Sequence, residues 1–224
     1  MTSASSFANQ KDESYRATVE WKKLTENGVQ FLARVALLNE KLIYENSTIK
    51  EYSVSKSNSF ICEIEGKYHL MKYDEINVGI NNTLAEANGQ NYPLNLQQNR
   101  LAIFGNYKLK FLKERLNLSL NGRQEMIEGK AIPFIASVGM DGWFLKMFCL
   151  KLCVAQHYRI PTFNDLYYQG YDAIGNTNLK PENGWTEEVS IINEYSYKKF
   201  NWYLSATAFN RNIDNWIVWQ PQAS

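Results

Sequence analysis

Histidine and cysteine are scarce in this chain, with two of the first and three of the second in 224 residues. His69 and His157 lie far apart, and Cys62, Cys149 and Cys153 show no zinc-site spacing. Cys149 and Cys153 stand four apart in a strand-like run, about 13 Å between Cα atoms at roughly 3.3 Å per residue. A disulfide needs Cα atoms closer than about 7 Å. The thiols therefore read as free, buried or lipid-facing, with no metal or redox role. Proline is rare, at five residues. No glycine-rich phosphate loop, Ser-His-Asp spacing or tight acidic pair appears, so nothing supports an enzyme. A net charge of +1 without a basic stripe gives no footprint for nucleic acid. No apolar run approaches the roughly 20 residues of a membrane helix. The segment Met1-Thr2-Ser3-Ala4-Ser5-Ser6-Phe7 lacks the basic and apolar regions of a signal peptide.

What is abundant is aromatic: 14 Tyr, 11 Phe and 6 Trp. The dominant period is two. Tyr15, Ala17, Val19 and Trp21 alternate with Arg16, Thr18, Glu20 and Lys22. Phe60, Cys62 and Ile64 alternate with Ile61, Glu63 and Glu65, and Leu116, Leu118 and Leu120 with Asn117, Ser119 and Asn121. Continued along the chain, this pattern predicts about ten strands, with an eleventh starting near Trp216. Helical periodicity is absent. The negative mean hydropathy argues against a helical membrane protein but is compatible with a barrel, which shows lipid only every second side chain.

The connections alternate in length. Short ones are expected at Thr25-Glu26-Asn27-Gly28, near Met71 to Asp74, at Leu112-Lys113, at Asp141-Gly142-Trp143 and at Lys198-Lys199. Long ones are expected over residues 45–58, 82–96, 122–130 and 158–183. Short-long alternation between strands of this length is the layout of a transmembrane β-barrel. The competing architecture is a soluble all-β ligand-binding module, whose sheets each keep one polar face. In a barrel, Glu63, Glu65, Lys67, Asn117, Ser119, Asn121 and Lys151 point into the lumen, whereas in a soluble sheet they form a solvated face.

The segment Tyr158 to Trp185 gathers the strongest local signals. Pro161 marks a strand end, because it cannot donate to a ladder. Gly170, Gly175, Asn176, Asn178 and Gly184 suit tight turns. The run Arg159-Ile160-Pro161-Thr162-Phe163-Asn164-Asp165-Leu166-Tyr167, followed by Gly175-Asn176-Thr177-Asn178-Leu179-Lys180-Pro181-Glu182, resembles the late-barrel signature of TonB-dependent outer-membrane receptors. Upstream, Pro133-Phe134-Ile135-Ala136-Ser137-Val138-Gly139 resembles the family's P-F-x-P-S-x-G strand, with Ala136 where that pattern has proline. Downstream, Phe209-Asn210-Arg211-Asn212-Ile213-Asp214-Asn215-Trp216-Ile217 resembles its F-x-x-x-I-x-N-x-I strand exit.

The resemblance implies an all-β fold, part of a transmembrane antiparallel up-and-down β-barrel. About ten strands would be present out of about 22, with residues 1–224 a partial barrel domain and the plug domain absent. It implies a receptor and transporter in the outer membrane of a Gram-negative bacterium, taking up a scarce nutrient such as a siderophore, haem or cobalamin. Its partners would be an extracellular small-molecule ligand, TonB acting through a plug missing here, and outer-membrane lipid. No cofactor is implied. The missing signal peptide then reads as a chain that begins inside a longer gene product. Candidate ligand contacts are Tyr167, Tyr168, Tyr171 and Asp172, in the longest loop. The three tyrosines serve equally as loop packing or as part of an aromatic girdle. Asp165, Asp172 and Glu182 share that loop and are read as turn formers rather than a calcium site.

Overall fold

The computed structural model describes residues 8–48, 50–113, 115–144, 147–170 and 173–220. Alternating side chains and few prolines let the backbone stay extended, and ten long strands follow one another: β1 (Ala8–Leu24), β2 (Gln30–Asn46), β3 (Glu51–Tyr68), β4 (Asp74–Gly89), β5 (Leu96–Phe111), β6 (Leu116–Ile127), then β8 (Ile135–Phe144), β9 (Phe148–Arg159), β10 (Glu182–Tyr197) and β11 (Phe200–Asp214). A two-residue β7 (Lys130–Ala131) folds back on β6, and one short helix, α1 (Phe163–Tyr167), lies between β9 and β10. Every long strand pairs antiparallel with its sequence neighbour, in the order β1-β2-β3-β4-β5-β6-β8-β9-β10-β11. This is an up-and-down meander without a crossover.

Register shows which residues share a face. Trp21 sits opposite Ala33, Ala33 opposite Ile64, Ile64 opposite Ile80 and Ile80 opposite Ile103. One residue over, Glu20, Arg34, Glu63 and Asn81 form a parallel row. That row is bonded side chain to side chain: Arg34 reaches Glu20 at 2.7 Å and Glu63 at 3.0 Å, and Asn81 donates to Glu63 at 3.1 Å. The apolar face lies open, with Val19, Ile64, Val78, Ile103 and Val189 all exposed. Only Leu32, Ala87, Leu96, Ala102, Cys149 and Ile192 are buried hydrophobics among the described residues. A water-soluble sandwich would need a second layer over that face. The described residues form a single sheet, so lipid is the covering the apolar face fits.

The polar residues expected in the lumen do share one face. Lys67 pairs with Glu75 at 2.7 Å, and Glu65 accepts from Asn77 at 2.9 Å. Asn117 donates to Asp141 at 2.8 Å, and Lys151 stands opposite Asp141 in register. The three cysteines are free: Cys149 is buried and Cys62 lies on the apolar face, but Cys153, expected to be buried or lipid-facing, is exposed on the face of Lys151 because it is an odd-numbered position of β9.

The connections correct the sequence reading in several places. Residues 45–58 and 82–96 are mostly strand, leaving connections of only 47–50 and 90–95. Residues 122–127 complete β6. These stretches are rich in Ser, Asn, Lys and Glu, so their apolar alternation is too sparse to mark a strand, yet the backbone ladder continues through them regardless of side chain. β1 to β3 thus reach 17, 17 and 18 residues, beyond the roughly 9–11 that cross a bilayer. The Asp141-Gly142 pair lies within β8, which runs on to Phe144 opposite Phe148. Trp216 starts no eleventh strand: Asn215 takes a left-handed φ of 54° and residues 216–220 turn back. The expected turns hold at Gly28, with φ 78°, at Leu112-Lys113, with φ 49° and 59°, and at Lys198-Lys199.

Candidate functional site

The tight turns after β1, β3, β5 and β10 share one end of the sheet, and the longest connection, described over residues 160–170 and 173–181, lies at the other. β9 delivers Arg159 directly opposite Glu182, the first residue of β10. Pro161 follows, and Thr162 caps α1 through a reciprocal capping box. The Asp165 amide donates to the Thr162 hydroxyl at 3.2 Å, and the Thr162 amide donates to the Asp165 carboxylate at 2.8 Å.

Arg159 joins these parts. Its guanidinium donates to Asp165 at 2.9 Å and to Glu182 at 2.9 Å. Glu182 also meets His157 Nε2 at 3.3 Å and accepts from the Ile217 amide at 2.9 Å. The Asn215 side chain reaches the Pro181 carbonyl at 3.4 Å. Both carboxylates are buried, Asp165 5% and Glu182 4% exposed. Burial of Asp165 opposes its charge, but hydrogen bonds from the Thr162 backbone and side chain, the Arg159 charge and a bond with Trp219 outweigh it. Its carboxyl is held below the ordinary carboxylate value. The acids read as turn formers are therefore a helix cap at Asp165 and an ion-paired strand start at Glu182. Among the described residues no group of His, Cys, Asp and Glu is placed to hold a metal. One guanidinium serves both carboxylates, and hydrogen bonds from the Thr162 and Ile217 amides complete their shells, so the cluster shapes the loop.

The rest of the loop packs on this clasp. The Gly175 amide donates to the Tyr168 carbonyl at 2.7 Å and that of Asn176 to the Asp165 carbonyl at 2.8 Å. A Cβ on Gly175 would lie 2.7 Å from the Leu166 carbonyl carbon, so only glycine fits this approach to α1. The β4–β5 connection reaches across to the same loop. The Gln169 amide donates to the Asn91 carbonyl at 2.8 Å, Asn91 donates to the Tyr168 hydroxyl at 3.0 Å, and Tyr92 bonds the Asn164 side chain.

Of the candidate ligand contacts, Tyr167 and Tyr168 line a cavity of about 220 Å³ beside Pro93. That is smaller than the roughly 300–1,000 Å³ of drug-sized ligand sites. Tyr168 is also held edge-on against Trp219, with ring centroids 6.3 Å apart. Tyr171 and Asp172 lie outside the described residues. A larger cavity of about 430 Å³ opens on the inner face beneath residues 160–163, lined by Gln98, Arg100, Glu125, Ile132, Tyr158 and Phe163 among others. It exists because β8 begins at Ile135, opposite Arg123, while β6 continues to Ile127 and β9 to Arg159. Glu125 is 2% exposed between Arg100 at 2.5 Å and Arg123 at 3.1 Å. Sequence reasoning missed Arg100, Glu125, Asn91 and Trp219. Arg100 and Glu125 are 25 residues apart, and only the β5–β6 register brings them together.

Known structures share this architecture. The siderophore receptor PirA of Pseudomonas aeruginosa superposes with a TM-score of 0.69 over 91% of this chain and 40% of its own, at 13% identity. The Serratia marcescens hemophore receptor HasR, solved with its hemophore HasA and heme, gives 0.78 over 93% and 41%, at 10% identity. The alcaligin receptor FauA of Bordetella pertussis gives 0.68 over 97% and 39%, at 14% identity. The chain therefore spans about two fifths of the length of these neighbours, and likeness at such identity concerns fold alone. The sequence itself carries the assignment further. Residues 15–224 match the family described as TonB dependent receptor-like, beta-barrel, and that span holds the four motifs, nearly all of the meander and the Arg159 clasp. With the apolar face turned outward and the charged face inward, the chain belongs to the β-barrel family of TonB-dependent receptors.

Proposed function

We propose that this chain forms part of the wall of an outer-membrane receptor that imports a scarce nutrient of the siderophore, haem or cobalamin class. The family is one of Gram-negative outer-membrane receptors and transporters rather than enzymes. The observation that carries the reading is the two-faced wall: a lipid-compatible apolar face backed by an ion-paired inner face, roofed at one end by residues 160–181. Neighbouring folds belong to receptors whose ligands are siderophores, and one was solved with a hemophore and heme. In this proposal the ligand meets the 160–181 connection from outside, through Tyr167, Tyr168, Tyr171 and Asp172. Energy comes from TonB acting on a plug that lies outside this chain.

Uptake tests the proposal. A host expressing the complete receptor, this wall together with the plug on which TonB acts, is offered labelled ferric siderophore, hemin or cyanocobalamin, with and without TonB. One compound should accumulate only when both the receptor and TonB are present. Tyr167→Ala should weaken its binding by about tenfold, the loss of roughly one good contact. Accumulation that ignores TonB, or no accumulation of any of the three, would defeat the transport reading. Unchanged binding in Tyr167→Ala would remove the tyrosines from the ligand site.

A further inference from the structure

The outer face carries a feature that transport does not use. Beyond the apolar band, toward the 47–50 connection, Lys41 of β2 stands directly opposite Lys56 of β3. Like charges facing each other across an antiparallel pair are unfavourable. Both lysines lie on the face of Val35, Leu37 and Phe60, the side turned to lipid. Lys41 has one acidic neighbour, Glu13, at 3.6 Å, and Glu13 is shared with Lys11 at 2.7 Å. Lys56 is exposed and has no hydrogen-bond or ion-pair partner among the described residues.

One row nearer the band, Asn39 and Asn58 are hydrogen-bonded side chain to side chain. Below them the face opens into a groove of about 610 Å³, walled by Ala17, Leu37, Phe60 and Leu84 with Tyr15 at its edge. Glu86 also borders the groove, and Gln97 donates to it at 3.1 Å. The sequence along the wall is thus apolar groove, amide pair, then lysine pair. That is the order of acyl chain, neutral linkage and phosphate in a phosphorylated lipid standing in a leaflet.

We propose that this face binds a phosphorylated lipid of the leaflet on the long-connection side. An acyl chain fills the groove, and the phosphate sits between Lys41 and Lys56. The bound anion relieves the repulsion of the facing ammonium groups. No bond is made or broken. The site lies on the opposite side of the wall from the 160–181 connection's clasp and the inner cavity, so its test is separate from that of transport.

Protein purified in a neutral maltoside detergent is titrated with dioleoyl phosphatidic acid and with dioleoyl phosphatidylcholine, and bound lipids are counted by native mass spectrometry. Phosphatidic acid should bind about thirtyfold more tightly, in line with the contribution of two lysines near an anionic surface. K41Q/K56Q should erase that preference, and so should most of the effect in the single variant Lys56→Gln, which breaks no contact within the fold. Leu37→Trp, which fills the groove, should weaken both lipids. Lys23→Gln, on the same face near the tight turns, should change nothing. Equal affinity for the two lipids, unchanged selectivity in K41Q/K56Q, or an equal loss in Lys23→Gln would overturn the site.

Discussion

Arg159 is the residue on which the longest connection depends. Its guanidinium, 38% exposed, serves two carboxylates that are each almost wholly buried. Arg159→Met should leave Asp165 and Glu182 facing each other without their cation. Breaking a buried pair costs about 3–5 kcal/mol. Because solvent screens this guanidinium, about 2 kcal/mol is expected here. The loss should appear as faster amide exchange over residues 160–181 with the distant strands unaffected. The pH dependence follows from Asp165, whose folded carboxyl sits below its ordinary value. A depressed carboxylate contributes stability that is complete above its unfolded value and is lost as pH falls through the folded one. Tyr168 and Trp219 should therefore stay packed from neutral pH down to the ordinary carboxylate range, and separate only below it. Trp219 fluorescence across an acid titration reads this, and a transition near neutrality would contradict it.

At the scale of elements, α1 and the return of the loop are held by contact between backbones. Gly175→Ala places its Cβ 2.8 Å from the Tyr167 amide nitrogen and 2.9 Å from the Asn164 carbonyl. Overpacking of this kind costs about 1–3 kcal/mol. The variant should become protease-sensitive within 160–181, whereas Gly105→Ala, with nothing nearer than 3.7 Å, should behave as wild type. The strands themselves were legible wherever side chains alternate, as in β6, where Leu116, Leu118 and Leu120 face one way. Their ends were not. In β3, residues Tyr52-Ser53-Val54-Ser55-Lys56-Ser57 alternate only through Tyr52 and Val54 before Lys56 and serines take over, so a ladder-bonded extension looks like a loop. The Asp141-Gly142 pair carries a turn signal that register overrode. The Arg159-to-Tyr167 motif announced a structured connection, but the carboxylates that pair with Arg159 come from two places, and Trp219 arrives from beyond β11. Such partners depend on tertiary geometry that local pattern does not encode.

At the scale of the whole molecule, the two faces of one sheet do different work, and a single charge should tell them apart. Val35 lies in the middle of the β2 apolar run from Phe31 to Leu37. Val35→Arg should cost about 2–4 kcal/mol, the depth-dependent penalty of a cation on the lipid face near the midplane. Ser119→Arg, on the charged face of β6, should cost far less. Folding into lipid vesicles, followed by the altered gel mobility of unheated barrels, measures both. Equal effects of the two substitutions would mean that the outer face is not the lipid face.

The unbroken meander also dictates an order of assembly. Each strand finds its partner immediately before it in the chain, so every pairing closes only a short loop, apart from the β9–β10 step across residues 160–181. An all-β protein is ordinarily slow to fold because its pairings are distant in sequence. Here hairpins can zip one after another, each new strand templated by the last. The contacts from Asn91 and Tyr92 to Tyr168 and Asn164, 77 and 72 residues apart, have no such template. They lock last, joining two connections only after the wall between them stands.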